Sequence, residues 1–446
     1  MPHSPLARAA LIALAVLVIG AAGFFAVAWR PTIGLVAARA TPAPKDVARG
    51  AELAAIGNCI TCHTRRDGAP YAGGRPIETP FGIVYSTNIT PDEATGIGGW
   101  SEEAFRRAVR DGVSQDGHHL YPVFPYDHMT KMREEDIRAV YAFIITRAPV
   151  HANTPANPLP FPFGFRPLLA YWKLLFLDRG AVPADPSQGD EWNHGAYLVE
   201  GLAHCGACHT PRNALGAEER DKAYAGGEAE GWLAPALNAA SPAAVPWNAE
   251  RLFSYLRTGW DDEHGVSAGP MAPVVHNLGS APESEVRAIA AYVASVAGSP
   301  SASREEAARK ALARAKGETP APSEAGGPGA AIYAGACAQC HGEAGRHPLL
   351  PALDLTLSST LRNPRPDNAI RIIRGGIQPV AAAAGPMMPP FAEAMTDAQL
   401  VALLAYLRTA FAEREPWNGT EDAVKRARDM EAQQTRAERA AARNTP

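Results

Sequence analysis

Three copies of one pentad constrain what this chain can become. Cys59-Ile60-Thr61-Cys62-His63, Cys205-Gly206-Ala207-Cys208-His209 and Cys337-Ala338-Gln339-Cys340-His341 share the pattern C-x-x-C-H and together use all six cysteines. Two cysteines at this spacing followed at once by histidine read as an attachment site for haem c: the thiols add across the two vinyl groups and the imidazole ligates iron from one side. On this reading the six cysteines hold three covalent haems, and His63, His209 and His341 are the first axial ligands.

The competing readings need other residues. A structural zinc site wants four ligands per ion, and each pentad offers two thiolates with a histidine poorly placed to join them. A thioredoxin-like redox site wants one such motif in a βαβ setting rather than three at intervals. The length of 446 residues suits about three domains, one per pentad. Forty prolines and forty glycines with few aromatics suit small helical domains whose loops wrap a porphyrin in place of a large side-chain core. A net charge of −4 points to neither nucleic acid nor a polyanionic substrate.

Ala9 to Trp29 is an unbroken apolar run behind Arg8, long enough to span a bilayer and longer than the apolar part of a typical cleaved signal. Ala26-Val27-Ala28 resembles a cleavage site, so a removed signal stays open beside the favoured anchor. Either way the rest of the chain is exported, and haem c is attached in bacteria on that side. The expected location is the bacterial inner membrane with the haem domains facing the periplasm.

Aligned on the pentads, the chain repeats itself. Arg49-Gly50-Ala51-Glu52-Leu53, His194-Gly195-Ala196-Tyr197-Leu198 and the stretch Gly329 to Ala334 form helical approaches, whose small residues are expected to let the backbone come close to the porphyrin. Tyr-Ala-Gly-Gly follows twice, at Tyr71–Gly74 and Tyr224–Gly227, as a loop over the haem edge. Three-four spacing then predicts helices over Trp100–Arg110, Trp247–Gly259 and Pro366–Gly375, capped by Ser101, Asn248 and Asp367 and stopped by Gly112, Gly259 and Gly375. Glu134–Ile145, Ser284–Val296 and Thr396–Ala410 are the last helices of the units.

The fold expected is therefore all-α: three tandem cytochrome c domains after an N-terminal membrane helix. Residues 1–43 are the signal or anchor, 44–150, 191–298 and 329–412 the three domains, and 151–190 an apolar docking segment. Within that segment Leu168–Leu177 is strongly apolar but too short to span, so it lies on the membrane or docks another subunit. Residues 299–328 read as a loose linker, and 413–446 as a charged mobile tail or a helix laid along a partner.

The second axial ligand tunes the potential of each haem, and methionine raises it. Met271 lies 21 residues before Tyr292 and Met388 lies 18 before Tyr406, similar places in two repeats, with Met387 competing in the last. In the first repeat the matching position is Phe124, which cannot ligate iron. Substitutes are His128, favoured here, then Met129, Met132, His118 and His119.

With the pentads and Thr79-Pro80-Phe81-Gly82-Ile83-Val84-Tyr85-Ser86-Thr87-Asn88-Ile89-Thr90 in view, the chain from about Val47 to Ala410 resembles the tri-haem cytochrome c subunits of bacterial membrane-bound dehydrogenases. The resemblance implies a chain without a substrate site of its own, relaying electrons from a periplasmic catalytic subunit to ubiquinone or a terminal oxidase. The alcohol dehydrogenase members, whose partner carries pyrroloquinoline quinone (PQQ), have methionine where Phe124 stands. Phe124-Pro125-Tyr126-Asp127-His128 and Ala156-Asn157-Pro158-Leu159-Pro160-Phe161-Pro162 look more like subunits paired with molybdenum hydroxylases of the nicotinate or isoquinoline type. Those imply a molybdopterin partner and a small iron-sulfur subunit. A multihaem peroxidase and a free-standing carrier are the alternatives.

Overall fold

The structure is a computed structural model that describes residues 5–37, 40–317, 326–343, 347–378 and 385–443. It is mostly helical, but three short antiparallel ribbons amend the all-α expectation: Pro76–Thr79 with Gly82–Tyr85, Gly227–Ala229 with Trp232–Ala234, and Trp260–Asp261 with Gly265–Val266. The first two grow out of the Tyr-Ala-Gly-Gly loops, where positive φ at Tyr71, Gly73, Tyr224 and Gly226 turns the chain back towards its pentad.

One helix crossing recurs around each pentad. The approach helices Pro44–Ile56, Asp190–Glu200 and Pro328–Ala336 cross the last helices Glu134–Ile144, Glu283–Ala297 and Asp397–Ala412. The crossing points are Gly50, Gly195 and Gly329. A Cβ on any of them would run into a backbone carbonyl, of Ala139, Ala288 and Ala402 respectively, and into the Cβ of Phe143, Tyr292 and Tyr406 one turn on. The small residues therefore admit the partner helix, and the expectation that they admit the porphyrin is corrected.

Local signals set most helix ends. Ser101 and Asn248 accept hydrogen bonds from the amides of Ala104 and Arg251 and start Glu102–Asp111 and Ala249–Thr258, which stop at left-handed Gly112 and Gly259. Asp367 is instead the first residue of Asp367–Gly375, behind Pro366, and the helix stops at Gly376. Thr396 and Gln399 form a capping box for the last crossing helix.

The regions around the first two pentads share one continuous core, running from Leu53 and Ile137 through Leu198 to Ile289, while the third has its own around Tyr333, Leu404 and Phe411. A polar network ties the first two. Arg49 binds Glu285 at 2.6 Å, His194 binds the same carboxylate at 2.6 Å, and Tyr197 Oη donates to Asp136 at 2.6 Å. Burial pushes the Glu285 pKa up, but hydrogen bonds from His194 and Arg49 outweigh it and leave the group below its ordinary value. A depressed carboxylate stabilises the fold above its unfolded pKa of about 4.3 and loses that contribution as pH falls through the folded value. Glu285→Ala is expected to cost about 1–3 kcal/mol at neutral pH and to flatten the acid limb of a denaturation series, because Arg49 is part-exposed and keeps some hydration. An unchanged acid limb would remove Glu285 from that role.

Two expectations for the outer segments give way. Residues Ala302–Ala315 of the supposed loose linker form a helix whose Arg304 donates to Ala243 O and whose Arg314 donates to Ala410 O, fastening the second region to the third. The end of that linker, 318–325, lies outside the described residues. The C-terminal stretch is a helix, Thr420–Arg443, laid on this chain's own third region through Arg374–Glu431 and Arg428–Asp397 rather than a mobile tail. It buries a stripe of Ala423, Val424, Ala427, Ala437 and Ala441.

Pro5–Ala28 is a helix whose part Leu11–Ala28 has mean hydropathy 2.7, long and apolar enough to cross a membrane. The apolar segment forms the helix Leu168–Phe176 and packs against the end of that span: Phe24 stacks on Tyr171 with ring centroids 4.9 Å apart.

Candidate functional site

Each pentad makes a short helical turn, and each turn aims its histidine the same way. His63 Nδ1 donates to Thr87 O at 2.7 Å, His209 Nδ1 to Pro235 O at 2.7 Å, and His341 Nδ1 to Leu353 O at 2.8 Å. The acceptors lie 24, 26 and 12 residues downstream, so the long-range fold rather than local sequence sets each ring. A hydrogen bond at Nδ1 fixes the tautomer and leaves Nε2 as the lone-pair donor, the arrangement a metal-bound imidazole requires. Burial lowers the pKa of all three, only partly offset by the carbonyl contact, so each ring is kept neutral.

The thiols are held neutral too. Burial raises Cys59 and Cys205 to about 12 and Cys208 and Cys337 to about 11, and raises Cys62 as well. Such thiols are poor free nucleophiles, whereas as thioethers they carry no charge to desolvate. Cys340 is exposed.

The cavities of the second and third pentads are continuous. One apolar space is lined by Cys205 and His209 at one end and Cys337 and His341 at the other, with Met271 and Met388 in its walls. Met388 is pinned by a two-way backbone bridge to Ile377 at 2.9 Å each way, while Met387 is 61% exposed. Asn368 clamps the backbone of Leu233 at 2.8 and 2.9 Å, joining the two walls. On the other side, Arg75 and Glu230 form a two-pronged ion pair at 3.0 and 2.7 Å, and Glu230 bears on both Cys62 and Cys208. The second pentad therefore sits between the other two. Sequence reasoning missed Arg75 and Glu230 because their partnership spans 155 residues.

His128 does not stand where the sequence suggested. It is 4% exposed, its Nδ1 lies 3.0 Å from Glu200 O and its Nε2 2.7 Å from Glu218 Oε1. It packs on Gly206 of the second pentad, where a Cβ would touch its ring. Both ring nitrogens are in use, which corrects the expectation that His128 ligates the first haem. Burial pulls its pKa down, and the Glu218 hydrogen bond and charge more than restore it, for a net rise. The other nearby histidines are engaged as well: His118 on Asp116 and His119 on Ala28 O and Lys173. Met129 and Met132, buried in the core against which Cys59 packs, are the thioethers left near Phe124.

Comparisons with known proteins agree with this chemistry. Residues 47–147 match the family model described as cytochrome c, and residues 324–407 match the one described as cytochrome c oxidase, cbb3-type, subunit III. Over 83% of its length the chain is 44% identical to a nicotinate dehydrogenase subunit of Pseudomonas putida, of which it spans 31%. It is 36% identical to the fructose dehydrogenase cytochrome subunit of Gluconobacter japonicus, covering 86% of this chain and 82% of that protein. With the alcohol dehydrogenase (quinone) cytochrome c subunit of Gluconobacter oxydans the identity is 32%, covering 83% and 79%. The chain belongs to the cytochrome c subunits of dehydrogenases, which carry haem c and relay electrons.

Proposed function

We propose that the chain is three tandem cytochrome c domains holding three haems, and that electrons from a dehydrogenase's catalytic subunit pass through the second pentad, between the other two, on the way to a membrane acceptor. The observation that carries the reading is the threefold repetition of a part-buried histidine held through Nδ1 by a backbone carbonyl, beside a pair of cysteines. Haem c, bound through Cys59, Cys62, Cys205, Cys208, Cys337 and Cys340, supplies reversible one-electron chemistry. The chain keeps water from the second and third sites with the apolar walls they share, and keeps the first beside the second with the Arg75–Glu230 pair. Covalent haem counting by mass on the acid-denatured chain tests the count, and fewer than three would sink it.

Met271 and Met388 are proposed as second axial ligands, because both line the space that His209 and His341 face. Met271→Leu and Met388→Leu are each expected to remove a share of the thioether-to-iron charge-transfer absorption and to lower one midpoint potential. A variant retaining the full band would clear that methionine of the role.

The catalytic partner is proposed to be a molybdenum hydroxylase with an iron-sulfur subunit, ahead of a quinoprotein carrying PQQ. Phe124 in place of methionine and the 44% identity to a nicotinate dehydrogenase subunit favour it. The haem domains face the periplasm, and ubiquinone or a terminal oxidase accepts the electrons. Molybdenum content of the complex purified through this chain decides between the partner types.

A further inference from the structure

Between the first and second regions a histidine faces two carboxylates and can satisfy only one. His128 sits on the short helix Tyr126–Met129, with Nδ1 donating to Glu200 O at 3.0 Å and Nε2 to Glu218 Oε1 at 2.7 Å. Its neighbour Asp127 turns to the same place: one of its carboxylate oxygens, a ring nitrogen of His128 and a carboxylate oxygen of Glu218 all fall within 4.8 Å of one another. A ring nitrogen carries a single proton. Nε2 gives its proton to Glu218, so the imidazole has none left for Asp127, whose Oδ1 is buried without a hydrogen-bond partner among the described residues. The hydroxyl of Tyr126, a residue 0% exposed, is buried without a partner in the same way, and the Asp127 charge acts on it.

A buried carboxylate without a partner is costly. Burial pushes the Asp127 pKa up and Glu218 adds to the rise, while the pull of His128 and Arg212 does not cancel it. The cations nearby are committed elsewhere. Arg212 stands 3.6 Å from Glu218, but its terminal nitrogens serve Gly216 O at 2.7 Å and Ala207 O at 2.9 Å. Lys131 leans on Glu200 at 3.6 Å, and burial lowers His204 to about 4, which keeps that ring neutral. One group would satisfy both carboxylates and the imidazole at once, a metal ion in place of the Nε2 proton.

We propose that Asp127, His128 and Glu218 form a zinc site, completed by water, that staples the first region to the loop following the second pentad. Zinc bonds of about 2.0–2.2 Å place tetrahedral ligand atoms about 3.4 Å apart. That separation lies between the 2.7 Å of the His128–Glu218 contact and the 4.8 Å that bounds all three atoms. The Nδ1 bond to Glu200 O holds the ring in the tautomer that leaves Nε2 for the metal. Two carboxylates cancel the ion's charge, and the Nε2 proton leaves to solvent as zinc enters. Calcium wants six to eight oxygens, and a soft ion wants thiolates, which the pentads reserve for haem. Glu218 pairs with Arg212 in an antiparallel bridge just after the second pentad, and the His128 ring packs on Gly206 within it. The ion would therefore tie the first region to the second at the place where their haem sites adjoin. No residue of the site is assigned to a haem iron, so the relay reading does not depend on it.

The test uses the full, untagged, haem-loaded chain in detergent, stripped with EDTA, dialysed and titrated with zinc chloride. The parent is expected to retain one zinc per chain by elemental mass spectrometry and to gain thermal stability with it. Asp127→Asn keeps the shape and removes the unpaired charge, so without metal it should melt no lower than the parent. With zinc it should bind about 100-fold more weakly or worse, the upper end of what losing even a ligand's supporting partner costs. Glu218→Gln reads the same ion from the second region and should lose zinc to a similar degree. A parent that takes up no zinc would overturn the site and leave the buried Asp127 oxygen to a water. Zinc held by Asp127→Asn or Glu218→Gln as tightly as by the parent would overturn it too, as would calcium competing with zinc on equal terms.

Discussion

A chain with alanine at both Cys205 and Cys208 is expected to lose one covalent haem in three and its end-to-end electron transfer, while the outer pentads stay loaded. The reason is position: the second pentad shares a continuous cavity with the third and the Arg75–Glu230 pair with the first. The loss should also destabilise the first region, because its core and that of the second are one, from Leu53 through Leu198 to Ile289. The third region, with a separate core, should keep its thermal transition. Haem absorbance, reduction of the distant haem in stopped flow, and calorimetry read these effects separately. Rapid electron exchange between the outer two pentads in the double variant would mean that electrons bypass the second.

Much of this arrangement was legible because its chemistry is local. A C-x-x-C-H pentad carries its own reading, and Ser101, Asn248 and Thr396 cap helices by bonds to amides three residues on. The crossing helices were legible as helices but not as crossings. Gly50, Gly195 and Gly329 announced a close approach, and the thing approached, Ala139, Ala288 and Ala402, carries its own repeat: each has an aromatic residue four positions on. Reading that second repeat against the first would have placed the helix pairs.

The C-terminal helix escaped because its buried stripe is alanine, with Val424 the one larger residue among Ala423, Ala427, Ala437 and Ala441. Alanine contributes little to an apolar count yet permits close helix packing, so a composition rich in charge concealed a docked element. The functional misses share another cause, sequence distance. Glu218 lies 90 residues from His128, and Lys173 lies 54 from His119. A histidine near a vacant ligand position invites assignment to iron until its own partners are known.

His128→Ala is therefore expected to act on stability and leave iron coordination alone. In the parent, Glu218 is largely buried, with His128 at 2.7 Å and Arg212 at 3.6 Å. Removing the imidazole leaves the carboxylate short of its best partner, which costs about 3 kcal/mol for a buried pair. The pH dependence follows from both partners. His128 is raised, so its share is complete below the unfolded value of about 6.5 and fades as pH climbs through the folded one. Glu218 is depressed by the His128 hydrogen bond in spite of its burial, so its share is complete above about 4.3 and fades as pH falls. The gap between parent and variant should be widest between about pH 4.5 and 6.5 and should close on either side. His128→Gln, which can still donate to Glu218, should recover part of the loss. Carbon monoxide binding by the reduced haems should match the parent's, since both ring nitrogens already serve Glu200 O and Glu218. A haem that begins to bind carbon monoxide only when His128 is removed would return this residue to the iron, and its bonds to Glu200 and Glu218 would have to break for it to get there.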